Sequence, residues 1–331
     1  MSAPVLAGWT DGPAGRHPDP HTVRIAAEAL AAGRLVALPT ETVYGLGADA
    51  SSGEAVGRIF TAKGRPADHP LIVHLADRAL LGKWVAQITD EAALLSDAWW
   101  PGPLTLVLPR SERVPDAVTG GRDTVAVRVP DHPVTRAILA AFGGGVAAPS
   151  ANRFGHVSPT TALHVQHDLG DRIDLIVDGG PCEVGVESTI VDCTTTPIQL
   201  LRAGGITPDQ VRRTVGADPA AATGPTRASG MLASHYAPQC DLVLVTSPEA
   251  VAPAVAELRR IGRRADGWVI DRAVKHAARE LYARLRSADD LGLDVLVVDL
   301  PPADGLGLAL RDRLGKAAHP ERHGRGHQRK P

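Results

Sequence analysis

Apolar residues recur along this chain in two alternating rhythms. Residues 22–32, TVRIAAEALAA, set Val23, Ala27 and Leu30 on one helical face, with Thr22 as a cap and Gly33 as the stop. RLVALP follows as a short buried strand. The alternation continues with a helix at GEAVGRIFTAK, a strand at PLIVHL, a helix near EAALLSDAW and strands at LTLVLP and TVAVRVP. Beyond them lie a helix at HPVTRAILAAF and strands at GVAAPS, IDLIVDG, STIVDC and IQLLRA. Several strands succeed one another with no helix between, which predicts an α/β fold built on a twisted mixed sheet rather than a purely parallel one.

After the helix TPDQVRRTV the pattern breaks. Residues 216–239 are dense in Ala, Pro, Gly, Ser and Thr and read as a linker. A second series follows: strand DLVLVT, helix PEAVAPAVAELRRI, strand WVI, helix AARELYARLRSA, strand LDVLVVDL and helix GLALRDRLGKAA. This is the rhythm of a smaller, doubly wound, Rossmann-like α/β domain. The expected organisation is a disordered extension at 1–20, a first domain at 21–215, the linker at 216–239, a small C-terminal domain at 240–318 and a basic disordered tail at 319–331.

Composition narrows the functional classes. At 331 residues the chain exceeds what one core usually supports, in keeping with two domains. Aromatic residues make up 3%, so the cores rest on Ala, Val, Leu and Ile. A formal net charge of -2 argues against a whole-surface nucleic-acid clamp but leaves room for a local basic groove. Cys182, Cys193 and Cys240 form no CxxC pair, which speaks against a disulfide framework or a thiolate zinc site. No signal-type segment and no long apolar run is present, so a cytoplasmic protein with no membrane span is expected.

Four polar clusters sit at strand ends. PTETVYGLG at 39–47 offers two hydroxyls, a carboxylate and glycines for a pocket, or makes an ordinary strand-to-turn connection. In KGRP, Lys63 and Arg65 are placed to grip a polyphosphate, although Lys63 also suits a helix C-terminus. APSAN at 148–152 and GHVSPT at 155–160 can donate to phosphate or ribose, or form a common Ser/Asn/Pro turn. ESTIVD at 187–192 stands one strand before Arg202. No GxxxxGK[ST] occurs, Gly305-x-Gly307 lacks the third glycine of a dinucleotide fingerprint, and His319, His323 and His327 read as a solvated tail.

In order and spacing, PTETVYGLG, KGRP with PLIVH, VAVRVP, PSAN, SPT, ESTIVD and LRAGGIT resemble the YrdC-type threonylcarbamoyl-adenylate synthase family. SGMLASHYAP and the segments after it resemble the family's two-domain members, over roughly residues 22–318. Phe154 stands where a serine is usual, Ala203 replaces a common proline, and ASGML departs from the usual linker motif. The resemblance implies a YrdC-like domain binding ATP, with Mg2+, L-threonine and bicarbonate. It assigns Lys63 and Arg65 a catalytic role in offsetting phosphate charge. Thr42, His74, Arg128, Ala148 and Ser188 would surround threonine and its carbamate. Lys63, Arg65, His69, Thr124, Ser150, Asn152, Ser158, Arg202 and Tyr236 would surround ATP, with residues 226–239 as a lid. The product would serve threonylcarbamoyl transfer to tRNA through a downstream complex, with direct tRNA contact an open question. The rival expectations are a carbamoyl-adenylate-forming carbamoyltransferase, a non-catalytic RNA-binding module and a nucleotide-sensing module.

Overall fold

In a computed structural model, residues 2–12, 15–223, 236–271 and 273–318 are described. The chain opens with strands β1 (Val5–Ala7), β2 (Trp9–Gly12) and β3 (Gly15–Pro18), then helix α1 (Pro20–Ala31), β4 (Val36–Leu38) and β5 (Gly45–Asp49). Next come α2 (Gly53–Lys63), β6 (Ile72–His74), α3 (Asp90–Trp99), β7 (Leu104–Pro109), the short α4 (Asp116–Thr119) and β8 (Thr124–Arg128). Helix α5 (Pro133–Phe142), β9 (Val146–Ala147), α6 (Ala162–Leu169), β10 (Leu175–Asp178), β11 (Thr189–Asp192), β12 (Gln199–Arg202), α7 (Pro208–Val215) and β13 (Ala220–Ala221) complete the first unit. The second unit comprises β14 (Asp241–Val245), α8 (Val251–Arg260), β15 (Ala265–Trp268), α9 (Val274–Asp290), β16 (Val295–Asp299) and α10 (Gly307–Ala318).

Eleven strands form one mixed sheet in the order β1-β10-β4-β5-β9-β6-β8-β7-β11-β12-β13, and β14-β16-β15 form a small parallel sheet. Side-chain alternation divides the large sheet's two faces. Leu35, Ala37, Val73, Val125 and Val127 join the core beneath α2, α3, α6 and α7. Val36, Leu38, Val146, Leu175 and Val177 pack instead against α1 and α5. On that second face, the half built from β6, β8, β7, β11 and β12 carries only a small cluster of Ile72, Val107, Ala126, Ile190 and Leu201. The cleft described below sits there.

The α2 and β7 boundaries fall where the pattern set them, whereas other expectations need correction. The N-terminal extension expected to be disordered forms strands: β1 pairs with β10 at the edge of the large sheet, and β2 pairs with β3. Its Pro and Gly content hid the segment, because the pairing partner lies about 170 residues away. Helix α1 is capped by Asp19, not Thr22; the Asp19 carboxylate accepts the Thr22 amide, with Pro20 opening the helix. GLGAD is strand β5, where alternating glycines conceal a β pattern; a Cβ on Gly47 would meet Val146 at 2.9 Å. The linker begins inside the sheet, since β13 pairs with β12. Residues 224–235 of the linker and the tail at 319–331 lie outside the described residues.

Strand β1 and its surroundings are tied to the core through Gly8 N–H to Asp178 O at 2.8 Å and Trp9 Nε1 to Gly179 O at 2.9 Å. Removing residues 1–18 deletes these bonds, at about 1 kcal/mol each, and uncovers the β10 edge. The expected outcome is a folded protein whose melting midpoint drops by several degrees in calorimetry; an unchanged midpoint would mean the strand adds nothing.

Candidate functional site

On the sheet face that α1 and α5 leave open lies a cleft lined by residues of several strands and strand-end turns. Its floor comes from β6 and β8, where parallel register sets Ile72 beside Ala126 and His74 beside Arg128. Period-2 alternation then turns Ile72, His74 and Arg128 toward the cleft while Val73 and Val127 enter the core. Thr40, Thr42, Val43 and Gly45 form one rim, Ala148, Pro149 and Ser150 another, and Glu187, Ser188, Arg202 and Tyr236 close the far side.

The Thr40 hydroxyl organises the first rim. It donates to Val43 O at 2.6 Å, accepts the Thr42 and Val43 amides and pairs with Thr42 Oγ1 at 2.8 Å. This is a compact hydroxyl turn of the kind Ser and Thr favour at strand ends. Arg128 ties that rim to the floor. Its Nη1 donates to Thr42 Oγ1 at 2.9 Å, Nη2 to Glu41 Oε1 at 2.6 Å and Nε to Gly102 O at 3.1 Å. The other Glu41 oxygen accepts the Asp131 amide. Beside Arg128, burial first and the guanidinium second push the His74 imidazole down to about 3, so it is neutral at physiological pH.

A β-bulge aims Arg202. Val191 pairs with Leu200 but Ile190 pairs with Arg202, so Leu201 is the extra residue. In unbroken register Arg202 would lie opposite Thr189 and face away from the cleft. The bulge brings it into phase with Ile190 and hence with Ser188. Arg202 then donates to Ser188 O at 3.1 Å and Ser188 Oγ at 3.2 Å, and Ser188 Oγ also meets Thr105 Oγ1 at 2.7 Å. Gly204 makes this closeness feasible, because a Cβ there would lie 2.3 Å from Glu187 O.

The structure thus brings Thr42, Arg65, His74, Arg128, Ala148, Ser150, Ser188, Arg202 and Tyr236 to one cleft. The other expected residues stand behind or beside it. Lys63 is 3% exposed and its ammonium donates to Ser150 O and Asn152 O, pinning the PSAN turn from beneath. Burial, then the neighbouring Arg65, hold its pKa well below the lysine range. Burial likewise lowers Arg65 to about 10, and its guanidinium lies 5.7 Å from the Phe154 ring, with Nη2 on Pro70 O. His69 packs against the same ring at 5.4 Å between centroids. Asn152 donates to Arg153 O and His156 O, and Thr124 shares the cleft-side face two residues before Ala126. Ser158 donates to Glu187 Oε1 at 2.7 Å.

Thr40, Val43, Gly45, Ile72, Pro149 and Glu187 line the cleft without having been assigned a contact; all flank motifs that were singled out, so proximity in sequence was the usable signal. Among the described residues no group of three or more His, Cys, Asp or Glu gathers as a metal site, and no helix is long and apolar enough to cross a membrane. Arginines dominate the cleft and its lining carboxylate is already bonded on both oxygens, so these residues do not fit a resident metal ion.

Comparison with known proteins places most of the chain beside a single family. A family model described as telomere recombination (Sua5, YciO, YrdC) matches residues 28–204, and one described as threonylcarbamoyl-AMP synthase, C-terminal domain, matches residues 206–319. A Pyrococcus abyssi protein named threonylcarbamoyl-AMP synthase is 42% identical over 89% of this chain and 94% of its own length. A Bacillus subtilis protein of the same name is 41% identical over 91% and 93%. The crystal structure of P. abyssi Sua5 complexed with L-threonine superposes with a TM-score of 0.90 at 38% identity, covering 96% of this chain and 98% of that one.

The neutral His74 has a pH signature. Between its folded value of about 3 and the ordinary 6.5, the unfolded chain binds a proton that the folded chain refuses. Stability from this residue is fully present above pH 6.5 and falls as the pH drops through that window. From pH 7 to pH 5 the wild type should lose about 2 kcal/mol more unfolding free energy than His74→Gln. Urea titrations at the two pH values measure this, and equal losses would show that His74 is protonated in the fold.

Proposed function

From the premise that this chain belongs to the threonylcarbamoyl-AMP synthase family, we propose that the arginine-lined cleft binds ATP and L-threonine and joins them through bicarbonate-derived carbon. The protein is an enzyme of the nucleotidyltransferase type. The observation that carries the assignment to this cleft is the convergence of Arg65, Arg128 and Arg202 with the hydroxyls of Thr42, Ser150 and Ser188 in one concavity.

The threonine amine combines with bicarbonate to give a carbamate and water. A carbamate oxygen then forms a bond to the α-phosphorus of ATP while the bond to the bridging β-phosphate oxygen breaks. Pyrophosphate departs with the electron pair, leaving threonylcarbamoyl-AMP. Each reactant is anionic, so the chief tasks are neutralising charge and aligning two reacting groups. Arg65 and Arg202 offset the triphosphate, whose Mg2+ arrives as its counter-ion. Arg128, held by Glu41 and Thr42, keeps further N–H donors for the threonine carboxylate. Thr42 and Ser188 supply partners for the substrate hydroxyl, which discriminates against apolar analogues. Lys63 acts by fixing the carbonyls of Ser150 and Asn152, and so shapes the rim rather than touching phosphate. No side-chain nucleophile is required. The product is then consumed by tRNA threonylcarbamoylation beside the anticodon, in the cytoplasm.

Pyrophosphate release from ATP, with threonine and bicarbonate added singly and together, tests this reading. Release should require both. Release driven by carbamoyl phosphate would indicate a carbamoyltransferase, and none in any mixture a binding module. Arg202→Met should lower kcat/KM for ATP about a hundredfold, the loss expected for a charge-assisted phosphate contact.

A further inference from the structure

A carboxylate in the wall of a cleft built for anions needs an explanation. Glu187 lines the cleft, yet it repels each substrate assigned there unless its charge is cancelled. Both oxygens are occupied from the second unit. Tyr282 of α9 donates to Oε1 at 2.9 Å and to Oε2 at 2.8 Å, and Arg313 of α10 donates through Nε to Oε2 at 2.8 Å. Burial alone would raise the carboxyl, but Arg313 and Arg202 outweigh it and bring it to about 2. Arg313 is fully buried, and its Nη1 reaches Ala203 O at 3.0 Å. One guanidinium therefore holds the residue before Ser188 and the residue after Arg202. It also lies 5.4 Å from the Tyr236 ring, which stacks on Tyr282 at 5.7 Å.

We propose that Arg313 and Tyr282 are positioning residues for adenylate synthesis: Arg313 neutralises Glu187, Tyr282 hydrogen-bonds it, and together they hold Ser188 and Arg202 where anionic substrates bind. This rests on the cleft being the synthase site. The second unit is then part of the catalytic apparatus through one buried charge pair, not only a body docked beside it. Docking has its own bonds elsewhere, notably the two-pronged Arg286–Asp168 pair at 2.6 and 3.0 Å.

A charge-removal double-mutant cycle separates the two roles. In pyrophosphate-release kinetics, Arg313→Met should raise KM for ATP and threonine about tenfold, because an unpaired carboxylate now faces them. Tyr282→Phe, which keeps the ring stack, should raise both by about threefold. Adding Glu187→Gln to Arg313→Met should restore most of the lost affinity, since the uncompensated charge is gone. Arg286→Met should lower the melting midpoint yet leave KM and kcat within about twofold. Arg313→Met and Tyr282→Phe with wild-type constants would overturn the inference while leaving the synthase assignment intact. So would failure of Glu187→Gln to rescue, or an equal loss in Arg286→Met. A wild type that releases no pyrophosphate would instead remove the assignment beneath it. If Arg313→Met does not fold, Tyr282→Phe and its Glu187→Gln double variant carry the same comparison.

Discussion

Several guanidiniums share one buried cleft, and like charges out of water repel one another while each resists desolvation. What makes the arrangement stable is a pair of buried carboxylates. Glu41 holds Arg128 from the β6–β8 side, and Glu187 holds Arg313 from the far side, each with both oxygens bonded. These pairs fix the geometry of the arginines without cancelling all of the positive charge. Arg65 and Arg202 remain facing the cleft, and burial lowers the pKa of both, a sign that each guanidinium is stabilised less well than it would be in water. On the proposed assignment, an arriving triphosphate or carboxylate adds further neutralisation, and part of the cost of assembling the site becomes binding energy for anions.

How far the chain's own pattern reveals this depends on the range of the interactions. Helix α2 could be read to the residue because its cap, Ser52, its apolar spacing and its left-handed Gly64 all lie within a dozen positions. The same holds for β7 and for the capping box of Thr207 and Gln210 on α7. The N-terminal strands could not be read this way, because Val5–Ala7 becomes a strand only when β10 offers an edge. Strand β5 was hidden by glycines that meet distant neighbours, Gly45 against Ala148 and Gly47 against Val146.

The site shows the same division. Motif residues that project from strands with regular alternation, such as His74 and Arg128, face where the spacing puts them. Arg202 reaches the cleft only through a bulge, which no local propensity announces. Lys63 was assigned to phosphate, since a cation beside Arg65 suggests that role; its ammonium instead serves two backbone carbonyls 87 and 89 residues away. Glu187 was visible in its motif but its meaning was not, because Tyr282 and Arg313 lie 95 and 126 residues beyond it.

That long-range pairing bears on why the second unit and the cleft are one piece of chemistry. Val43, Val157 and Val186 of the first unit belong to the same apolar cluster as Tyr236 of the connecting segment and Leu281, Tyr282 and Leu314 of the second unit. Apolar burial supplies most of the attachment but has no direction, so by itself it would let the units settle with small rotations. A buried ion pair whose carboxylate is bonded on both oxygens has little tolerance for such rotation, since any slip leaves a charge unpaired in a dry place. Placing that pair on Glu187, next to Ser188, converts the exact seating of the second unit into the exact position of the cleft wall. Tyr236, at the end of the connecting segment and in left-handed backbone, is packed between Tyr282 and Arg313 by the same contact. Tyr236 and the wall beside it are therefore set by one pair of side chains.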